Sequence, residues 1–439
     1  MQDHHQEKVT RLAQRLLARS PSAPLSLKKK SPPHQVPKRK DLWHTDEKLD
    51  IGVLDEILEI DVEARTCTAE PGVTFHRLVR STLPLGLVPI IVPEHKTITL
   101  GGAVAGGSLE SKSFQYGGFH DTCLEYELVT ATGQVLRCTP TNEHALVFQM
   151  VHGSFGTLGV LTRLKFRLIP AQPFVRLTYE HHASWDAFQA SLWRHFCEQD
   201  VDYLDGMVHS PQKYVLCLGR FVSSAPYTHR YDWVKVYFQS TARRREDYLT
   251  TLDYLFRYDR GVTTANPKSA LGRALVGRWW HSDRVLRWAN RLHRFLPAKR
   301  PRVLVDLFVP FSRAGEFLEW YRQRIGVYPV WCVPYRRVRD YEWLTSAFFA
   351  GVHDPLFLDL ALYGVRQPKG RNLYKELEEE LFVVNGVKTL ISYNYYDEES
   401  FWRVWNRPNY EAVKRITDPA HVFRDLYAKT CRATRGLEG

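Results

Sequence analysis

The run Thr99-Leu-Gly-Gly-Ala-Val-Ala-Gly-Gly-Ser-Leu-Glu-Ser111, followed by Tyr116-Gly117-Gly118, limits what this chain can fold around. Gly101, Gly102, Gly106 and Gly107 lack a Cβ. The segment can therefore take up positive φ, turn several amide N–H groups to one point and let a large anion lie against the backbone. Ser108 and Ser111 add hydroxyl donors. Two commoner phosphate loops are excluded: Ser111, not glycine, precedes Lys112-Ser113, and the spacing G-x-G-x-x-G does not occur here. The stretch predicts a dinucleotide cradle of another class, against the plain alternative of a flexible linker or tight crossover.

The flanks favour the cradle. Ile57 to Asp61 and Thr66 to Glu70 read as short strands, Pro71-Gly72 as a turn, and a helix opens near Thr74 with Phe75, Leu78, Val79 and Leu83 on its apolar face. Leu124 to Ala131 and Gln134 to Cys138 form a hairpin pattern around Thr132-Gly133. His152-Gly-Ser-Phe-Gly-Thr-Leu-Gly159 is a further Gly-rich turn. It runs into Val160 to Ile169, where Leu164, Phe166 and Leu168 alternate with Arg163, Lys165 and Arg167 at the period of a half-buried strand.

The order E-P-G-V-T, L-P-L-G-L-V-P-I-I-V-P-E, T-L-G-G-A-V-A-G-G-S-x-E-S-x-S-x-x-Y-G, E-L-V-T-A-T-G-Q-V and G-S-F-G-T-L-G-V-L-T resembles the FAD-binding PCMH-type domain of the vanillyl-alcohol oxidase superfamily. Within it the chain is most similar to the Δ24-sterol reductases. Tyr203 to Ser210, Val303 to Pro310, Val327 to Pro334, Leu358 to Gly364 and Glu399 to Trp402 echo that family's second half, so the likeness spans about residues 45 to 435. The resemblance implies an α+β fold, a two-part FAD-binding domain followed by a substrate domain whose mixed or antiparallel sheet is covered by helices. The expected divisions are a basic N-terminal helix and loop (1–40), the FAD-binding domain (41–172), a substrate or cap domain (173–400) and a C-terminal segment returning to the FAD domain (401–439).

It also implies which residues contact the cofactor: Pro93, Thr99, Leu100, Gly101, Gly102, Ala103, Val104, Ala105, Gly106, Gly107, Ser108, Leu109, Glu110, Ser111, Tyr116, Gly117, Gly156, Gly159 and Val160. From the returning segment come Asn409 and Tyr410 beside the isoalloxazine, with Lys414 placing positive charge near its N1–C2 carbonyl region. The plain reading of that segment is a helix punctuated by Asn409 and Asp418. Superfamily members often carry an R-G-x-G-H-S loop whose histidine bonds the flavin. Here Ser26-Leu-Lys-Lys-Lys-Ser-Pro-Pro-His34 has no glycine, which implies non-covalent FAD, with Lys28 to Lys30 facing the pyrophosphate instead.

Composition fits two sizeable soluble domains, with 44% hydrophobic residues over 439. Seven scattered cysteines without a C-x-x-C pair argue against a disulfide framework or a zinc site, so no metal is expected and the compartment is reducing, hence cytoplasmic. No apolar run approaches the roughly 20 residues needed to cross a bilayer, and a signal peptide's apolar core is missing, unlike the eukaryotic sterol reductases with their N-terminal membrane segment. Val9, Leu12, Leu16 and Leu17 share one helical face, predicting a capping helix.

Charge is uneven. Residues 1–172 hold 20 Lys+Arg against 18 Asp+Glu; residues 173–439 hold 40 against 30, so most of the net +12 lies in the second half. The densest segment, 272–302, threads tryptophans and leucines with arginines. It reads either as a solvated helix face or as a peripheral membrane contact, which suits a lipid-like substrate; nucleic acid is not the expected partner.

The candidate strands of the second half carry few polar residues at their centres: Asp205, His209, Asp306, Asp359, Tyr393 and Tyr395. Saturating an isolated alkene takes a hydride at one carbon and a proton at the other, so a proton donor is required. Tyr393 and Tyr395, in a strand over Val387 to Tyr395, are the first candidates by resemblance, and Asp205 is the second if burial raises its pKa. The expected activity is FAD-dependent reduction of a carbon–carbon double bond in a sterol-like or isoprenoid lipid, with NADPH as donor. The alternatives are an oxidase or dehydrogenase of a polyol, lactone or sugar-lipid, and a flavin-less scaffold that kept the fold.

Overall fold

The computed structural model describes residues 2–19, 23–31, 45–232, 235–259 and 301–435. Apart from residues 301 and 302, the basic segment 272–302 lies outside them, as does His34.

The chain opens with helix α1 (Gln2–Leu17), then strands β1 (Leu25–Lys28) and β2 (Glu47–Asp50), which pair in parallel. Val9, Leu12 and Leu16 of α1 are buried as their spacing predicts, whereas Leu17 is 65% exposed. Its side chain lies across the Thr132-Gly133 turn instead, where a Cβ on Gly133 would come within 2.7 Å of it.

The first large sheet is built from β3 (Ile57–Asp61), β4 (Thr66–Ala69), β5 (Leu87–Pro89), β6 (Cys123–Val129), β7 (Val135–Cys138) and β8 (Val160–Pro170). Its order is β3-β4-β8-β6-β7, with β5 added to the far end of β8, and every pairing is antiparallel. Helices α2 (Phe75–Thr82), α3 (Leu100–Gly106), α4 (Ser113–Tyr116) and α5 (Ala145–Met150) fill the connections. Thr74 caps α2 by accepting from the Arg77 amide, the role its position before the apolar run predicts. Leu164, Phe166 and Leu168 of β8 are buried, while Arg163 and Lys165 are half-buried and Arg167 is exposed.

The second sheet has eight antiparallel strands: β9 (Phe174–His182), β10 (Tyr203–Ser210), β11 (Lys213–Val222), β12 (Glu246–Thr250), β13 (Val303–Pro310), β14 (Val330–Arg336), β15 (Leu356–Val365) and the two-residue β16 (Val387–Lys388). They run in the order β12-β9-β11-β10-β14-β15-β13-β16. Between them lie α6 (Trp185–Glu198), α7 (Tyr237–Thr241), α8 (Thr251–Leu255), α9 (Ala314–Arg324) and α10 (Leu373–Val383). The chain ends through α11 (Glu398–Val404) and α12 (Arg407–Thr417).

Side chains alternate across a strand, so this sheet sorts its residues into two faces. Val303, Val305, Leu307 and Val309 of β13 and Leu356, Leu358, Leu360 and Leu362 of β15 pack against α6, α9 and α10. The alternate residues, among them Met207, Trp331, Val333, Phe357 and Ala361, join one continuous core with Phe75, Leu100, Ala103 and Val104 of the first half. By register Asp205, Asp306 and Asp359 share this second face, between the two sheets.

The expected strand over Val387 to Tyr395 is not formed. Only Val387–Lys388 pairs, with Phe308 and Leu307, and the chain then turns away into irregular backbone. Tyr393 and Tyr395 consequently pack on the helix-covered side, with rings 5.5 and 6.3 Å from that of Tyr374 in α10.

Candidate cofactor and substrate site

Helix α3 forms because Thr99 caps it, accepting from the Gly102 amide at 3.3 Å, and because Leu100, Ala103 and Val104 are fully buried beneath it. These three, like Pro93 and Val160, turn their side chains into the core, leaving only backbone for a ligand. The turn after α5 is zipped along α3: Gly153 N donates to Val104 O at 3.2 Å and Phe155 N to Ala105 O at 3.1 Å.

The two segments together leave a bare surface. A Cβ placed on Gly106, Gly107 or Gly153 would meet nothing within 4 Å, and Gly107 and Gly153 hold φ of +73° and +65°. The other glycines serve the protein itself. Gly101 is pressed on Pro71, Gly117 on Asp121, Gly156 on Leu27 and Gly159 on the carbonyl of Val129.

Beside the bare surface stands Lys29. Its Nζ is 3.5 Å from the point a Gly102 Cβ would occupy, and it has no hydrogen-bond or ion-pair partner among the described residues. Burial pushes its pKa down to about 8. Lys28 and Lys30, by contrast, are tied to Asp50 and Asp55, each at 2.9 Å. A glycine surface that a Cβ would fill and one unpaired cation at its edge match the pyrophosphate of a dinucleotide.

Ser108 O accepts from Phe119 N, Leu109 is half-buried, and Tyr116 stacks near Lys112 and Arg167. Glu110 and Ser111 face the second sheet. Arg257, wholly buried, reaches Glu110 at 3.0 Å and Asp205 at 3.2 Å. Asp205 also accepts from Tyr258 OH at 2.9 Å and Trp331 Nε1 at 2.8 Å, and Ser111 Oγ lies 3.0 Å from Tyr254 OH. Asp205 is therefore held by Arg257, Tyr258 and Trp331. Tyr393 and Tyr395 lie on the opposite side of the sheet, so the structure does not bring the three expected donors together. Their neighbours decide this, and Arg257 is 52 residues away from Asp205 in sequence.

The returning segment is tied to the rest of the protein. Lys414 Nζ is held by Thr157 O at 2.7 Å, Phe423 O at 2.8 Å and Asp418 at 2.6 Å, so its charge is neutralised in place and braces the turn. Asn409 donates to Glu342 O at 3.0 Å and Glu342 Oε2 at 2.8 Å. Tyr410 is buried and lines a cavity of about 10 Å³ with His152, Gly153, Ser154 and Trp343.

A second polar group lies on the inner face of the second sheet. Tyr363 OH donates to Asp306 at 2.5 Å, and Thr389 Oγ1 to the same carboxyl at 3.4 Å. Asp359, on the adjoining strand, is 2% exposed and its Oδ1 has no partner. Glu94 and His95, 3.2 Å apart, approach from the first half. Burial raises both aspartates, Asp359 well above the usual carboxylate range, and each is pushed further by Glu94. Both aspartates are visible in the sequence as polar breaks in apolar strands; Glu94 and Tyr363 carry no such mark.

None of the seven cysteines forms a disulfide, and no metal-binding group of His, Cys, Asp or Glu occurs among the described residues. No helix among them is long and apolar enough to cross a membrane.

The bare glycine surface lies within and beside the part of the chain that matches a known family model: residues 45–139 match the FAD binding domain family. The chain is an FAD-dependent oxidoreductase. Over most of its length it is similar to Delta(24)-sterol reductases. It is 26% identical over 410 residues to that of Homo sapiens, covering 87% of this chain and 77% of the human one, and 25% identical over 442 residues to that of Arabidopsis thaliana, covering 87% and 76%. Cytokinin dehydrogenase 8 of Oryza sativa subsp. indica is 30% identical over 139 residues, 31% of this chain and 26% of that protein.

Proposed function

We propose that this chain saturates a carbon–carbon double bond in a sterol-like or isoprenoid lipid, with electrons from NADPH passed through non-covalent FAD. The observation that carries the reading is the inner face of the second sheet, which packs against the first half. Met207, Trp331, Val333, Phe357 and Ala361 make it apolar, and its acids are few and grouped. Such a face favours a hydrocarbon over a polyol or sugar, whose hydroxyls need buried partners.

The bare backbone of Gly106, Gly107 and Gly153 and the ammonium of Lys29 would hold the cofactor's phosphates. Bound FAD supplies hydride transfer. The chain's own part is to orient an alkene over the ring, to exclude water with the apolar face, and to hold a proton for the carbon that receives no hydride. The similarity to Delta(24)-sterol reductases extends through the second half, where the substrate chemistry is set, whereas the likeness to a cytokinin dehydrogenase covers 31% of the chain.

The test is anaerobic. The purified yellow protein is mixed with NADPH, then with a Δ24-unsaturated sterol in detergent micelles. Bleaching at the flavin band, its return with the sterol, and a two-hydrogen gain in product mass are expected. No bleaching rejects the NADPH-dependent reductase. Hydrogen peroxide formed with polyols or lactones instead favours the oxidase alternative.

A further inference from the structure

Two pairs of buried carboxyls lie between the halves of this molecule, and they are neutralised differently. Glu110 and Asp205 share the guanidinium of Arg257. Asp306 and Asp359 have no lysine or arginine within ion-pair distance among the described residues. Asp306 receives only the hydroxyls of Tyr363 and Thr389, and Asp359 Oδ1 receives nothing. The titratable groups facing the pair are Glu94 and His95 from the first half and Tyr363 on β15; Cys332 of β14 lies on the opposite face of the sheet. Two carboxylates so placed repel each other and Glu94, and the cheapest neutralising agent in a dry site without a cation is a proton.

We propose that Asp306 and Asp359 hold one proton between them at neutral pH and are the source of the proton delivered to the substrate alkene. This rests on the reductase reading above. Asp359, 2% exposed, stores the proton; Asp306, half-buried with Tyr363 at its side, is the more accessible end. The balance closes. The π bond breaks and two C–H bonds form: one carbon takes a hydride, with its electron pair, from reduced flavin, and the other takes H⁺ from the aspartate pair. The flavin is oxidised, the alkene is reduced, and the pair is left as two carboxylates until solvent returns a proton.

The experiment uses the FAD-loaded full chain and Asp359→Asn and Asp306→Asn variants, with retained far-ultraviolet circular dichroism and flavin absorbance as the check on folding. Infrared spectroscopy at neutral pH, without turnover, is expected to show a protonated carboxylic acid band that is lost in Asp359→Asn. In anaerobic rapid mixing, reoxidation by the Δ24-unsaturated sterol should slow by about 10²–10⁴-fold, the usual reach of a general acid, while reduction by NADPH changes far less. Tyr363→Phe should give a smaller loss and move the pH limb of reoxidation. A band that persists in both variants, or reoxidation within tenfold of wild type, overturns the proposal. If the wild-type protein is not reoxidised by the sterol but the band is present and lost in Asp359→Asn, the reductase reading fails while the shared proton stands.

Discussion

Lys28, Lys29 and Lys30 carry the same side chain and meet different surroundings. The outer two, themselves exposed, spend their charge on Asp50 and the half-buried Asp55, a kind of surface contact worth little. Lys29→Gln should raise the dissociation constant for FAD about tenfold, the loss of one charge-assisted hydrogen bond of about 1.5 kcal/mol. Lys28→Gln and Lys30→Gln should stay within about twofold by the same measure. Flavin fluorescence quenching reads all three. Because burial lowers the pKa of Lys29 to about 8, wild-type affinity should fall above pH 8, and Lys29→Gln should lose that fall. The sequence shows three lysines in a row; which of them lacks a partner among the described residues depends on Asp50 and Asp55, on the far side of a segment whose spacing conveys nothing about distance.

His5 gives a second prediction at this scale. Burial lowers its pKa, but hydrogen bonds to Glu127 at 2.9 Å and Glu70 at 2.8 Å outweigh that and raise it to about 9. A raised folded pKa means the stabilisation is complete below the unfolded value near 6.5 and is lost as pH rises through 9. Urea titrations should show about 3 kcal/mol of stability lost across that window, and His5→Gln should flatten the slope.

Among elements, α3 separates glycines that serve packing from those that serve a ligand. Gly101→Ala would place a Cβ 2.6 Å from that of Pro71 and should cost about 1–3 kcal/mol of stability whether or not FAD is present. Gly106→Ala meets nothing and should raise the apo-protein's melting temperature, since alanine is favoured over glycine in a helix by up to about 1 kcal/mol. The same methyl should weaken FAD binding. Opposite signs in the two measurements mark a ligand-facing glycine; equal signs would reject that assignment.

The elements of the first half were legible because their signals are local. Thr74 before an apolar helical run and the alternation in β8 need no distant partner to be read. The tyrosines after β16 show the opposite case. Val387 to Tyr395 has strand-forming residues throughout, yet its path follows the buried Lys388, whose Nζ is held by Glu378 of α10 and by the carbonyl of Tyr393 at 2.6 Å. A buried ion pair between elements overrides propensity.

At the scale of the whole molecule, Arg257 pins the two halves together, touching Glu110 of one and Asp205 of the other. Arg257→Met strands two buried acids and should destabilise by about 3–5 kcal/mol. Adding Glu110→Gln and Asp205→Asn to that variant should recover most of the loss. Urea unfolding followed by tryptophan fluorescence measures both, and equal stability of the single and triple variants would show that the arginine acts by packing alone.

The bracing of the Gly-rich turn by α12 and the residues after it bears on the order of biosynthesis. The Thr157 carbonyl is held by Lys414 and the Phe155 carbonyl by Lys429, at 2.7 and 2.6 Å, while Leu25 N bonds Val422 O at 2.8 Å. A ribosome releases the glycine surface long before it releases these clamps. Flavin capture therefore belongs after translation: a nascent chain arrested short of residue 414 has the phosphate-facing backbone but not the residues that hold half of it in shape.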